Sequence, residues 1–255
     1  MEGNKMSNNN YQKENYDKNF SLFYNKYLTA QAKKYGNFIM SLLNKNGLKK
    51  GKILDIMCGT GNLLVQFERK GWETYGVDIS ESMLEVAKTN LSRTKLIQSD
   101  IVKFNSKDNY QVVVATADAL NHLKTDNDIN EVFKTVFSLL SNDGYFIFDM
   151  NTPIGIKSNN YYISSSDEDG ICIREGFVDE IHGVGFTRFY GAFKIEDNTP
   201  YLRFDSTIYN YFHSIEGLEK KLLEIGFKTV EIRDGYSDLL WDPNSTERVL
   251  FICTK

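Results

Sequence analysis

Cysteine is scarce in this 255-residue chain: Cys58, Cys172 and Cys253 form no CxxC pair, and an odd number cannot all pair within one chain. A disulfide framework is thereby excluded, and reduced, mostly buried thiols in a cytoplasmic protein are expected. Histidine is as sparse, and His122, His182 and His213 stand too far apart for a metal-ligand spacing, so no metal is expected. No apolar run approaches the length that spans a bilayer, and the opening MEGNKMSNNN is polar where a secretory signal would be apolar. Excess positive charge is missing too. With 30 Lys and Arg against 34 Asp and Glu the formal net charge is −4, which gives no general attraction for phosphate backbones and disfavours a nucleic-acid partner.

What is present is an ordinary soluble composition, 41% hydrophobic and 25% charged, in a chain long enough for one α/β domain with an insertion. Residues 1–13 are rich in Asn and Lys, and disorder is expected there. From Tyr16 to Leu43 aromatic and aliphatic residues recur at helical spacing, which predicts one or two amphipathic helices. Strands are predicted at 52–57, 73–77, 96–98, 111–115 and 144–150. Helices are predicted at 62–70, from Ser80 as N-cap through Ser92, and at 126–140. Strand and helix in alternation with short connections mean a parallel sheet with right-handed crossovers. After Pro153 the rhythm changes. Residues 154–170 read as a polar loop, and strand-like segments at 171–181, 185–196 and 201–212 suggest an antiparallel insertion over 154–212. A helix at 215–225 and strands at 228–233 and 248–254 close the sheet, so the core domain is expected to comprise 14–153 and 213–255.

The chemistry-bearing stretch is ILDIMCGTG, Ile53 to Gly61. Gly59 and Gly61, lacking a Cβ, let the backbone approach a ligand at the carboxyl end of a strand. Asp78 ends the next strand, where a carboxylate can accept from both hydroxyls of a ribose. Asp100, at the end of the third strand in QSDI, is placed to accept from an exocyclic adenine amine, with Ile101 packing on the ring. Three strand ends in a row therefore suit a nucleoside-containing cofactor. Leu64 stands where a dinucleotide fingerprint has its third glycine, and Asp55 within the first strand would repel a pyrophosphate. A ligand with a cationic end fits better than a nicotinamide dinucleotide.

ILDIMCGTGNL, followed by VDIS and QSDI, resembles the cofactor motifs of class I S-adenosylmethionine-dependent methyltransferases. The resemblance implies an α/β Rossmann-like fold, a mostly parallel seven-stranded sheet flanked by helices, here with the antiparallel insertion after the fifth strand. It implies S-adenosyl-L-methionine as cofactor and S-adenosyl-L-homocysteine as product. Gly59 and Gly61 would bound the methionine end, Asp55 would order that loop or reach the amino group through water, Asp78 and the adjoining Ile79 would hold the ribose side, Asp100 and Ile101 the adenine, and Thr116 or Ala117 would lie beneath the methionine part. Tyr24 matches an N-terminal aromatic that closes over the site. The aromatic N-terminal helix and the insertion resemble the layout of glycine and aminosugar N-methyltransferases. Where many of those carry Glu-His after the RF of the third insertion strand, this chain has Ile208 and Tyr209.

For an amine acceptor a base helps, and His122 in DALNHL is the candidate, since imidazole titrates near neutrality. Asp118 and Asn121 share its loop, suited either to orient a substrate amine or to shape the turn. Tyr16, Tyr24 and Tyr27 could present their rings to a sulfonium, or pack as an aromatic stripe. The expected function is methyl transfer to a small-molecule amine by a monomer or homodimer. The alternatives are an O-methyltransferase, an enzyme acting on RNA or protein, and a non-catalytic binder of the cofactor.

Overall fold

Aromatic residues at helical spacing form two helices before the first strand, α1 (Lys18–Tyr27) and α2 (Ala30–Lys45). They appear in a computed structural model that describes residues 16–255; the disorder expected over 1–13 lies outside the described residues. The carboxylate of Asp17 caps α1, accepting from the Phe20 N–H at 2.7 Å and so satisfying one orphan donor of the first turn. There follow β1 (Lys52–Ile56), α3 (Asn62–Arg69), β2 (Glu73–Asp78), α4 (Glu81–Asn90), β3 (Lys95–Gln98), β4 (Tyr110–Ala115), α5 (Asp126–Leu139) and β5 (Leu140–Asn151). Ser80 caps α4 as expected, its hydroxyl accepting from the Met83 N–H at 3.2 Å. Beyond the insertion come α7 (Ile215–Ile225), β10 (Thr229–Asp234) and β11 (Arg248–Thr254).

The main sheet has seven strands in the order β10-β11-β5-β4-β1-β2-β3. β1 pairs in parallel with β2 and with β4, and β4 in parallel with β5; β11 is antiparallel to both β5 and β10. On one face Ile53, Val112 and Val114 pack with Ile39 and Leu43 of α2 and Leu64 and Phe67 of α3. On the other, Leu54, Ile56 and Val113 pack with Phe133 of α5 and Leu222 of α7. Burial on both faces is why the central strands read as apolar runs and not as alternation. A fully buried side chain such as Phe133 contributes about 1.5–3 kcal/mol. Strand order reverses between β1 and β4, and the crevice outside their carboxyl ends is where open α/β sheets bind ligands.

The insertion differs from expectation in one respect. Residues 154–170 are not all loop: they form the short helix α6 (Pro153–Lys157) and a strand, β6 (Tyr161–Asp167). The antiparallel sheet thus has four strands, β6, β7 (Gly170–Asp179), β8 (Val184–Phe193) and β9 (Leu202–Tyr211), in chain order. β6 is an edge strand whose YYISSSD side chains are almost all exposed, so it lacks the apolar alternation that marks a half-buried strand. Phe189, Phe193 and Phe204 share the face that α1 covers, where Phe23 stacks on Phe204 at 4.0 Å between ring centroids. Alternation sends Phe177, Phe186 and Tyr209 to the opposite face. Among the described residues no helix is long and apolar enough to cross a membrane.

Candidate active site

The strand ends of the switch point open into a cleft with two arms. One is lined by Asp78, Ile79, Met83, Ser99, Asp100 and Ile101, following β2 and β3. The other is lined by Asp55, Thr60, Asn62 and Tyr35, around the glycine turn and α2. Tyr24, Met57, Gly59, Thr116 and Ala117 border both, so the arms meet over the ends of β1 and β4 beneath α1. Gly61 adopts φ +73°, and a Cβ there would stand 2.5 Å from Leu91 Cδ1; it holds the turn against α4 more than it touches the cleft.

Two carboxylates dominate the electrostatics. Asp78 accepts from the Gly59 N–H at 2.7 Å and the Ser80 N–H at 2.9 Å. Burial raises its pKa, and those backbone donors oppose the rise. Asp55 is buried at 3% exposure, and no described residue donates a hydrogen bond to it. Burial, with the nearby charge of Asp78, holds its carboxyl well above the usual range. A buried acid without an internal partner is costly unless something cationic arrives. The carboxylates of the first arm and this acid at the far arm together fit a nucleoside bearing a cationic end. Asp100 lies two residues beyond the end of β3 and not on it, and caps the 3-10 turn Ile101–Lys103 by accepting from the Val102 N–H at 3.0 Å. Ile101 is buried beside it.

The floor of the cleft after β4 is a backbone feature the sequence did not announce. Ala117 and Asp118 both take left-handed φ, +60° and +52°, as does Met57 after β1 at +59°. Each such non-glycine residue costs on the order of 1–3 kcal/mol and persists only where neighbours enforce it. For Ala117 and Asp118 the enforcing group is Asp149, fully buried near the end of β5. It accepts from the Ala117 N–H at 2.7 Å, the Asp118 N–H at 3.2 Å and the Tyr236 hydroxyl at 3.0 Å, and it pairs with Arg248 Nη1. Arg248 Nη2 reaches Asp118 at 2.8 Å, and Tyr236 stacks on Tyr35 at 3.9 Å. An acid ending the apolar GYFIFDM run was the available signal for Asp149; Arg248 and Tyr236 had none.

His122 lines the first arm and donates from Nδ1 to the Tyr209 carbonyl at 2.8 Å, linking cleft and insertion. Its loop neighbours do not face an acceptor: the Asp118 carboxylate is held by Arg248, and Asn121 is fully buried, bonding to backbone of Asn151 and Tyr211. Of the three tyrosines, Tyr16 and Tyr24 line the cleft, and burial pushes both hydroxyls above the usual range. Tyr27 does not join them; it packs on Phe23 and Phe193 along another face of α1. α1 is fastened over the glycine turn by Asn25, whose Oδ1 accepts from Asn62 and Asn90, each at 2.8 Å. Burial raises the Cys58 thiol well above its ordinary range, as suits a packing residue. Among the described residues no group of three His, Cys, Asp or Glu side chains is arranged to hold a metal ion.

A family model described as a methyltransferase domain matches residues 53–144, from β1 into β5. The methyltransferase-family protein YqeM of Bacillus subtilis (strain 168) is 31% identical over 216 residues, covering 81% of this chain and 85% of its own length. A glycine/sarcosine N-methyltransferase of Halorhodospira halochloris is 25% identical over 219 residues, covering 82% of this chain and 75% of its own. Among solved structures, an S-adenosylmethionine-dependent methyltransferase from Clostridium acetobutylicum ATCC 824 superposes with a TM-score of 0.79 at 26% identity, over 92% of this chain and 97% of that one.

Proposed function

This chain belongs to the class I S-adenosylmethionine-dependent methyltransferases, and we propose that its acceptor is a small molecule, methylated on an amine of amino-acid, aminosugar or natural-product type. The cofactor, when bound, supplies a methyl carbon made electrophilic by its sulfonium. The chain's own residues hold and orient. Asp78, with Ile79 beside it, takes the ribose hydroxyls; Asp100 and Ile101 take the adenine; Asp55 offers its unpartnered carboxylate to the cationic methionine end, bounded by Gly59 and Gly61. Thr116 and Ala117, the latter held by Asp149, form the floor beneath. The Tyr24 ring lies where the two arms meet, a position suited to a cation–π contact with a sulfonium.

The observation that carries the amine reading is the place of His122 in the lining of the first arm, tied to the insertion through Tyr209. The Tyr209 carbonyl only accepts, so Nδ1 donates to it, and that bond fixes the orientation of the ring in the cleft. In this reading His122 takes the proton that an attacking amine must lose, and the cleft residues around it orient the acceptor. The named activity of the glycine/sarcosine relative, which matches most of both chains, supports a small amine. The free thiols suit a cytoplasmic enzyme.

The test is incubation of the protein with methyl-labelled S-adenosylmethionine and an extract of the source cells, followed by fractionation. Label in the small-molecule fraction is the expected outcome; label recovered in RNA or protein overturns the acceptor class.

A further inference from the structure

We propose that a cavity beside α1, separate from the cofactor cleft, binds a small aromatic molecule carrying an anionic group. The cavity lies beside α1 on the same sheet face that α1 packs against, where that face extends over β6–β8, with a volume of about 290 Å³. Phe23, Tyr27, Phe189 and Phe193 supply aromatic wall, and Ile163 and Arg174 come from the neighbouring strands. Register explains the meeting: Arg174 pairs with Ile163 on one side and Phe189 on the other, so all three share one face of the sheet.

Arg174 is the informative residue. It is half-buried, and among the described residues its guanidinium has no hydrogen-bond or ion-pair partner; its one described contact of this kind is the Tyr161 ring, 5.4 Å from Cζ. Arg188, Arg233 and Arg248 each have a carboxylate. A guanidinium drawn partly out of water among aromatic rings is short of counter-charge, and its planar fork matches a carboxylate, sulfonate or phosphate. The acid lining the cavity, Asp167, does not fill that role. Its Oδ1 already accepts from the Tyr27 hydroxyl at 3.4 Å and from the N–H groups of Asp169 at 2.9 Å and Gly170 at 3.0 Å. Apolar walls with one uncompensated cation are the makings of a site for an aromatic anion. Its occupant would touch Phe23 and Tyr27 on the same helix that sets Tyr24 over the cofactor cleft. This inference does not rest on the identity of the methyl acceptor.

The probe is anilinonaphthalene sulfonate, titrated by fluorescence into the full chain saturated with S-adenosylhomocysteine, so that the cofactor cleft is filled. Calorimetry with S-adenosylhomocysteine first establishes that the cleft is occupied and that each variant is folded. One dye per chain is expected, with Arg174→Gln weakening it about tenfold or more, the scale of a lost charge-assisted contact, while Arg174→Lys retains most of the affinity. The neutral N-phenylnaphthylamine is expected to bind wild type and Arg174→Gln alike, and Arg203→Gln, an exposed arginine outside the cavity, to change neither dye. Unchanged sulfonate affinity in Arg174→Gln overturns the proposal. So does equal loss of both dyes, which would mean that the walls and not the charge were recognised.

Discussion

Arg248 and Asp118 stand 130 residues apart in the chain, yet Nη2 of one lies 2.8 Å from Oδ1 of the other, beneath the floor of the cofactor cleft. The same guanidinium pairs with buried Asp149, so one side chain on the last strand neutralises two acids at the end of β4 and β5. Burial works against the charge on Arg248, but Asp118 and Asp149 outweigh it and raise its pKa.

Arg248→Met is therefore expected to be severe. Removing one member of a buried pair leaves the other uncompensated, at about 3 kcal/mol or more, which lowers the melting temperature of a chain this size by roughly 6–12 °C. Arg248→Lys, which keeps the charge and loses the fork, should fall between. A melting temperature for Arg248→Met equal to wild type would show that the pair does not hold the turn.

Asp55→Asn should act in opposite directions on stability and on binding. The folded-state pKa of Asp55 is raised, so the folded protein holds this proton more tightly than the unfolded chain does. That contribution to stability is fully present below the unfolded pKa of about 3.9 and is lost as pH rises through the folded value. At neutral pH the cofactor-free Asn variant should melt above wild type, by a margin that grows with pH across this window. Its affinity for S-adenosylhomocysteine, whose ammonium loses its counter-charge, should drop about tenfold or more. Thermal melts at several pH values and calorimetry check both halves; normal binding by Asp55→Asn would remove Asp55 as the partner of the cationic end.

The two turn glycines should separate. Gly61→Ala meets Leu91 at 2.5 Å and must hold φ +73°, so a loss of about 2 kcal/mol or more is expected from overpacking and left-handed strain. Gly59→Ala at φ +53° meets only Met83 Sδ, at 4.0 Å, and its methyl group borders the cleft. It should cost about 1–2 kcal/mol in stability but weaken S-adenosylhomocysteine more than Gly61→Ala does. Denaturant melts and calorimetry on the pair decide this, and the reverse ranking in binding would move the ligand away from Gly59.

His122→Ala should slow methyl transfer by about a hundredfold or more, the range of a lost general base, with S-adenosylhomocysteine affinity nearly unchanged. A parallel loss of cofactor affinity and rate would make His122 a structural link between the cleft loop and Tyr209 instead.

The parts of this site readable in advance were those written in one stretch of chain. ILDIMCGTG states strand, turn and helix in consecutive residues, and Asp78 follows at the end of the next apolar run. The parts not readable were made by distance or by a misleading local pattern. Arg248 comes to Asp149 through the antiparallel pairing of β5 with β11, and Tyr236 from the segment that joins β10 to β11. β6 escaped because an exposed edge strand of serines carries no apolar period. Tyr27 looked equivalent to Tyr24, but three positions along α1 it looks onto Phe193.

Asn121 ties the insertion to the cleft loop. Its side chain donates to the Asn151 carbonyl at 3.0 Å and to the Tyr211 carbonyl at 3.2 Å, and accepts from the Asn151 N–H at 2.9 Å. Asn151 and Tyr211 are the points where the chain leaves the main sheet and where it finishes the insertion. One amide therefore clasps both ends of the four-stranded unit onto the loop that bears His122. With both ends pinned at one side chain, a displacement of the four-stranded unit is felt first at Asn121 and at the 3-10 turn that carries His122.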